Sequence, residues 1–487
     1  MEPNVQIDWS DFDGAYHDEA GNAGGAGGAS PEQVDALRKA LAAGDGQAVP
    51  GTAAAGALQP LMPESLDTIL HSQTYTQEDT VLWGMLNKDR AYNTAEEYNQ
   101  LLKVGQGEAG FIGEGDLPEE EDSTFRRNVT LIKFLGVTRR VTHVASLVRT
   151  AGVANAIASE TRDGTIWLMR ILEENLFYGD SSLVPVQFDG LKKLLIDGGA
   201  LVYDARGAAM SVTIVNGLTA AVRKRPNYGR VSHLFSSVGV KSDIINDVLD
   251  QLREKFGEKT VLGMTVDEIQ TQNGPVKLID DIFIEERDIP FATGLGNASK
   301  RPLTPVANGN PTTPGLVGSL FAAGDAGTYY YKVVGLNRYG RSAPLTTAGI
   351  VVAQGDETLI PVADGGQNTT AYIVYRSAKN AADASLAKEI FRVARTGATQ
   401  TIHDTNAYLP GCSDVFGVEM RPDTLSWKQL APFTRLPLAT VDTSIRWMML
   451  LYGALQVKKP RHNFLVVNVG RDPNSPTFSS QLGLDGF

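Results

Sequence analysis

The stretch VANAIASETRDGTIWLMRILEENLFYGD, residues 153–180, decides the architecture of this chain. Ile157, Ile166, Trp167, Ile171, Leu172 and Leu176 recur along one stripe at helical spacing. The spacing predicts one long helix over about 153–178, with Trp167, Ile171 and Leu172 as its core contacts. Gly164 weakens it locally, since a helical glycine costs about 1 kcal/mol relative to alanine. Gly179-Asp180 stops it, because glycine readily leaves the helical conformation. A spine of this length organises what lies on either side.

Upstream, Arg126–Val148 is β-rich, with Thr130, Ile132, Phe134 and Val137 standing among Lys133, Arg139 and Arg140. Before it, residues 104–123 are glycine-rich and then acidic, with the run Glu119, Glu120, Glu121, Asp122. Together 104–148 predicts a two-stranded excursion out of a body and back. Its acids have available partners in Arg126, Arg127, Arg139 and Arg140 of another copy, and these eight residues are the candidate inter-subunit contacts. Tyr75–Asn99 mixes aromatic and polar residues and is expected to wrap a neighbouring surface. Residues 1–62 carry nine acids and two bases, a net of −7, around the Gly/Ala-rich linker Gly21–Ser30. They form no core of their own and read as an arm.

Downstream, residues 187–274 read as mixed α/β, with helices expected at Ser211–Lys224 and Lys241–Phe256 and a strand at Val276–Ile284. At 303–417 charge falls and Thr, Gly, Tyr and Val rise. Short strands recur there at intervals that suit a β-sandwich, from Thr328–Gly335 to Gln400–His403. Tyr329, Tyr331 and Val333 alternate onto one face. Prolines 302, 305, 311 and 314 and Pro410-Gly411 mark its ends, so it is expected to hang from the body by junctions that few hydrogen bonds cross. The body resumes at 418, with a helix expected near Val441–Tyr452 and a last strand at Asn463–Val469. The domains are therefore an arm (1–62), a core (63–302 and 418–487) and an insert (303–417).

The chain has 487 residues, 42% hydrophobic and 21% charged, an ordinary globular mix for two or three folding units. Its formal charge of −12 argues against sequence-independent nucleic-acid binding, which needs a basic face. A single cysteine, Cys412, permits neither an intrachain disulfide nor a thiolate-based zinc site. No run of about 18 apolar residues exists, and MEPNVQIDWSDFD has no export-signal pattern. The expectation is a protein made in a cytoplasm and soluble there, with no membrane partner.

Catalytic and cofactor patterns are not convincing. The six histidines never stand three or four apart. Gly105, Gly107 and Gly110 match the dinucleotide pattern, but the acids that follow would repel a phosphate, so a loop tip is the better reading. Adjacent carboxylates in a Gly/Pro-rich loop are solvated and lack the raised pKa of a general acid. No metal, cofactor or enzymatic activity is expected.

Several stretches, in order, resemble one family. They are QTYTQEDTVLWGMLNKDRAYNTAEEYN (73–99), ILEENLFYGDSSL (171–183), FDGLKKLL (188–195), YDARGA (203–208), VGVKSDIIN (238–246) and GPVKLIDDIFIEE (274–286). The family is the major capsid proteins of large contractile-tailed bacteriophages, with the Hong Kong 97 type fold. The resemblance covers about 63–290 well and 418–487 weakly. It implies an α+β capsid core: a peripheral domain built on the spine helix, an extended loop lying over a neighbour, and an axial α/β domain. The insert is similar to fibronectin type III and other immunoglobulin-like sandwiches.

The implied function is a self-assembling shell subunit, forming hexamers and pentamers of an icosahedral head that encloses DNA without reading it. Scaffold, portal and decoration proteins are the further expected partners, and the virion, assembled in the host cytoplasm, is the expected location. A tail or baseplate protein bearing a sandwich module, and a glycan-binding surface protein, stay open as alternatives.

Overall fold

The computed structural model of the chain describes residues 75–105, 111–115, 117, 120–147, 155–256, 267–284, 296–366, 368–439 and 442–472. The arm expected over 1–62 lies outside them. A short helix α1 (Val81–Met85) and strand β1 (Lys88–Arg90) come first. Strands β2 (Ala95–Lys103), β3 (Thr124–Leu131) and β4 (Lys133–Thr142) follow, then helices α2 (His143–Leu147), α3 (Ala156–Tyr178) and α4 (Leu191–Asp197). The α/β stretch holds β5 (Leu201–Asp204), α5 (Val212–Arg223), β6 (His233–Ser236), α6 (Val238–Phe256), β7 (Glu268–Thr271) and β8 (Gly274–Asp280). The insert holds β9 (Val306–Ala307), β10 (Gly327–Tyr329), β11 (Tyr331–Asn337), β12 (Gly340–Arg341), β13 (Leu345–Thr346), β14 (Ile350–Val352), β15 (Thr358–Ala363), β16 (Ala371–Arg376), β17 (Lys388–Ala394) and β18 (Thr399–Asp404). Strands β19 (Ser413–Val418), β20 (Leu425–Pro437), β21 (Ser444–Val457) and β22 (Phe464–Val469) complete a mixed α+β fold.

Helix α3 begins where Asn155 Oδ1 accepts the amides of Ile157 and Ala158 at 3.0 and 3.2 Å. It ends where the Gly179 amide bonds Asn175 O. Its buried face is Gly164, Leu168, Met169, Leu172, Glu173, Leu176 and Phe177. That corrects the phase read from the sequence. Leu172 is buried and Ile171 half-buried, but Trp167 is 37% exposed. Apolar residues run through 166–169 and 171–172, so two stripes about one residue apart fit the periodicity equally well. Contact with β4 and β21 selects the second, through Leu168 against Val141, Trp447 and Met449. Gly164 is required by the same contact, since a Cβ there would collide with the Met449 methyl.

Strand β21 replaces the helix expected near 441–452. Ile445, Met448, Met449 and Tyr452 suit a helix, but Trp447, Met449 and Leu451 are buried at period two. Pairing on both edges decides it: the sheet order is β1-β20-β21-β4, with β21 antiparallel to β20 and β4. The excursion is accordingly shifted from the expected 104–148 to about 95–131. Its strands are β2 and β3, paired from Ala95↔Leu131 outward, while β4 belongs to the body.

A six-stranded mixed sheet, β5-β22-β19-β6-β8-β7, forms the second body. One face packs Leu234, Val415, Phe464 and Val466 against Val215, Leu218 and Val222 of α5 and Val240 and Ile244 of α6. The other presents Phe235, Phe416 and Leu465 to Phe177 of α3 and to Leu191 and Leu195 of α4. The Phe177 and Phe416 rings lie 5.3 Å apart. Each such side chain contributes about 1.5–3 kcal/mol through burial. The motif FYGD…FDGL is the clasp at this junction. The Gly190 amide bonds Gly179 O at 2.8 Å, Asp189 accepts the Ser181 amide at 2.9 Å, and a Cβ on Gly190 would overlap the backbone of Asn175 and Gly179.

The insert is a two-layered β structure. One sheet is β12-β11-β16-β17, with β13 also on β11; the other is β18-β15-β9, and β10 pairs β14. Tyr331, Val333, Tyr372, Val374 and Ile390 meet Ile360, Val362 and Ile402 in a shared core. At one end buried Arg376 bonds Asp404 and Asn406 at 2.7 Å each, and Tyr331 Oη donates to Asp404 at 2.9 Å. The insert stops earlier than 417: β19 lies inside the six-stranded sheet, between β22 and β6. Its junction is also bonded, not bare. Arg206 donates to Leu320 O and Asn406 O at 2.8 Å each, and Asn468 bonds Ala407 O and the Leu409 amide at 2.8 and 3.0 Å. Arg206 lies at φ 51 in the turn of YDARGA, so that motif is where the body grips the insert.

Candidate inter-subunit surfaces

Among the described residues, the β2–β3 hairpin is tied to the body along its inner half. Tyr98 Oη donates to Val457 O at 3.1 Å, and Gln100 Nε2 donates to Lys458 O at 2.6 Å. Beyond that, its apolar side chains are uncovered: Leu101, Val104 and Phe125 are exposed, Leu117 is 91% exposed and Phe111 fully exposed. Large exposed apolar groups gathered on one narrow projection are of the kind that interaction sites carry.

The eight charged candidates are not brought together as one patch. Glu119 lies outside the described residues; Glu120, Glu121 and Asp122 are exposed near the hairpin's outer end. Arg127 of β3 already pairs with Glu97 of β2 at 3.3 Å. Arg139 of β4 pairs with Glu160 of α3 at 3.3 Å and is tied to the spine. Arg126 and Arg140 are exposed, on β3 and β4 respectively. Of the spine residues, Leu172 serves the chain's own core, whereas Trp167 faces outward.

One group that the sequence reading missed sits at the centre of the body. Glu173 of α3 is fully buried and accepts the Leu82 amide at 2.6 Å and the Trp83 amide at 3.1 Å, holding α1 to the spine. Burial pushes its carboxyl up to about 9, reinforced by the neighbouring Asp281 carboxylate and opposed by the two amides. Burial likewise raises Asp281 to about 6, against bonds from the Phe283 amide and from Glu173. The pair therefore retains a proton at neutral pH. The one sequence signal is a glutamate standing among apolar neighbours in ILEENLF.

A cleft of about 290 Å³ lies between α4 and β17 of the insert. Its charges are matched internally: Lys193 bridges Asp180 and Asp197 at 3.2 and 3.5 Å, and Arg392 pairs with Glu389 at 2.7 Å. It offers a seam between body and insert, not a reactive centre.

No protein-family model matches the chain. In sequence the chain is similar to phage major capsid proteins. It is 26% identical over 439 residues to those of Staphylococcus phage S25-3 and Staphylococcus phage K, covering 85% of this chain and 90% of each relative. Among solved structures, the capsid of Myoviridae phage XM1 aligns with 86% of this chain and 99% of its own, at TM-score 0.43 and 10% identity. The SrpI encapsulin of Synechococcus elongatus aligns with 88% of this chain and 99% of its own, at TM-score 0.39 and 11% identity.

Proposed function

We propose that this chain is the major capsid protein of a tailed phage, with a Hong Kong 97 type core and an inserted immunoglobulin-like domain. Copies form hexamers and pentamers of an icosahedral head, which encloses DNA without reading its sequence. It carries out no reaction. The observation that carries this reading is the sequence relationship, which runs through nearly the whole length of named major capsid proteins. The apolar hairpin supports it, because Phe111, Leu117 and Phe125 are left uncovered by the described residues of their own chain and would gain burial from a neighbour. In this reading the hairpin lies over an adjacent subunit, its acids meeting exposed bases such as Arg126 and Arg140 of the next copy. Each crossing segment is ordered on assembly, and the contacts offset the entropy lost. The bonded junction at Arg206 and Asn468 holds the insert in a fixed attitude on the outer surface, where it serves attachment or decoration. Scaffold, portal and decoration proteins are the further partners, and assembly takes place in the host cytoplasm.

Negative-stain images of the purified full chain test the reading. Closed shells, or rings of five and six subunits, are expected. Tubes, or a monomer at every concentration and salt, would overturn it.

A further inference from the structure

The net charge of −12 hides a local excess of the opposite sign. From Ala205 to Ser242 there is no aspartate or glutamate, while Arg206, Arg223, Lys224, Arg225, Arg230 and Lys241 fall within it. Four of these crowd the loop RKRPNYGR at 223–230, which joins α5 to β6, and all four are exposed. The loop is a pinned turn. The Asn227 amide bonds Lys224 O at 2.9 Å, the Gly229 amide bonds Val222 O at 3.1 Å, and buried Val222 and Val231 anchor its ends. Gly229 lies so close to His462 that a Cβ would overlap that residue's backbone. This contact puts Arg461, also exposed, beside the loop.

Elsewhere the described cations commonly have a carboxylate: Arg127, Arg139, Arg170, Lys192, Lys241 and Arg376 are all paired. Arg223, Lys224, Arg225, Arg230 and Arg461 have none within salt-bridge distance among the described residues. Two acids that reach the residues flanking Arg461 are already engaged, Glu419 by His462 at 2.6 Å and Asp423 by Lys459 at 2.5 Å. Five cations with no carboxylate among the described residues repel one another on a pinned surface, and a bound anion relieves that.

We propose that the 223–230 loop with Arg461 is a docking surface for the phosphate backbone of nucleic acid. Charge composition favours phosphate over protein as the occupant. Protein interfaces have an apolar core depleted of charge. Here the only large exposed non-cationic side chain of the loop is Tyr228, 57% exposed and held at φ 58. Arginine and lysine with an interleaved tyrosine are the groups that contact phosphate and sugar without sequence readout. The source of the phosphate, DNA inside a shell, rests on the capsid reading; the cation cluster does not.

The test uses the unassembled full chain and a labelled 30-base-pair duplex of arbitrary sequence, with affinity measured by anisotropy across a salt series. Each phosphate contact contributes about −0.9 to the slope of log K against log salt, so five contacts give about −4.5. The triple variant R223S/K224S/R225S is expected to bind at least about tenfold more weakly at low salt and to lose about 2.7 from that slope. The pair R230S/R461S, which leaves the helix end untouched, is expected to lose about 1.8. The control R162S/R435S, two exposed arginines outside the loop and outside the proposed subunit contact, is expected to change neither. Wild type that does not bind the duplex at low salt, or variants with unaltered slope, would overturn the proposal. So would variants that keep DNA affinity but fail to assemble, since the loop would then be a protein contact. Shells that form while DNA affinity is absent leave the capsid reading standing, and DNA binding by a chain that never forms shells does the reverse.

Discussion

In the insert, Tyr331, Val333, Tyr372 and Val374 of one sheet are buried against Ile360, Val362 and Ile402 of the other. In the β2–β3 hairpin, Leu101, Phe125, Phe111 and Leu117 face solvent. Both regions are antiparallel β structure, yet one completes its own core and the other has a single layer. Pairing of strands satisfies backbone hydrogen bonds in both, but only a second layer removes side chains from water. The insert can therefore be stable alone, and in the proposed shell the hairpin would acquire its missing layer from a neighbouring copy. This contrast makes the largest stability effects internal to packed regions and leaves the hairpin's effects to assembly.

The largest effect is expected at the buried ion pair of the insert. Arg376 and Asp404 are 2% and 1% exposed at 2.7 Å. Arg376→Met leaves Asp404 charged and buried, with only Tyr331 and the Asn406 amide to meet it. A loss of about 3–5 kcal/mol is expected in denaturant unfolding of residues 296–412 expressed alone, and R376M/D404L should recover most of it. A fragment 296–412 that shows no cooperative transition even as wild type would break the contrast at its self-sufficient side.

The spine helix gives the next pair. Leu172→Ala should cost about 2–5 kcal/mol in the unassembled chain, because Leu172 is fully buried. Trp167→Ala should cost less, about 1–2 kcal/mol, because over a third of that side chain is already in solvent. Equal losses from the two would show that the outward face of α3 is packed by the chain itself.

The pair Glu173 and Asp281 adds a pH signature to the packed side. The folded carboxyl of Glu173 titrates near 9, above its ordinary 4.5, so the folded chain holds more protons than the unfolded one between those values. Stability is then fully present at acid pH and falls as pH rises through the window, by up to about 1.4 kcal/mol per unit for one proton. Urea unfolding of Glu173→Gln from pH 5 to 9 should show a flatter curve that lies above wild type at the alkaline end. Parallel curves would mean that Glu173 is ionised in the folded chain.

Local periodicity made part of this legible. The end of α3 follows from Gly179, while its start at Ala156 lies three residues past the expected 153; strands such as Ala371–Arg376 follow from a short aromatic and β-branched run between turn residues. What depended on long-range pairing was not legible. Ser444–Val457 carries a spacing that suits a helix, and the neighbours that make it a strand, β4 and β20, are separate segments of the chain. Trp167 and Leu168 differ by one position in phase, and the partner surface chooses between them. Glu173 and Asp281 meet only through the fold. The cationic loop at 223–230 was masked because summed charge ignores position, and −7 of the total sits in residues 1–62.

The hairpin is where the chain's own stability should respond least. Phe111→Ser, Leu117→Ser and Phe125→Ser together remove side chains that touch little of the body, so unfolding of the unassembled chain should move by under about 0.5 kcal/mol. The same triple variant should fail to form shells, since each side chain stands to contribute about 1.5–3 kcal/mol when a neighbour buries it. A core-sized stability loss without assembly would show that the hairpin folds back on its own body. Replacing Glu120, Glu121 and Asp122 by serine is the gentler variant of the experiment. Exposed ion pairs are worth about 0–1 kcal/mol each and weaken with salt, so the effect should appear only as a shell less stable at low ionic strength. That small term recurs in every copy of an assembly, and comparing shell dissociation at low and high salt separates it from the apolar term, which salt does not screen. A serine variant whose shells match wild type at low salt would leave the apolar groups as the hairpin's whole contribution.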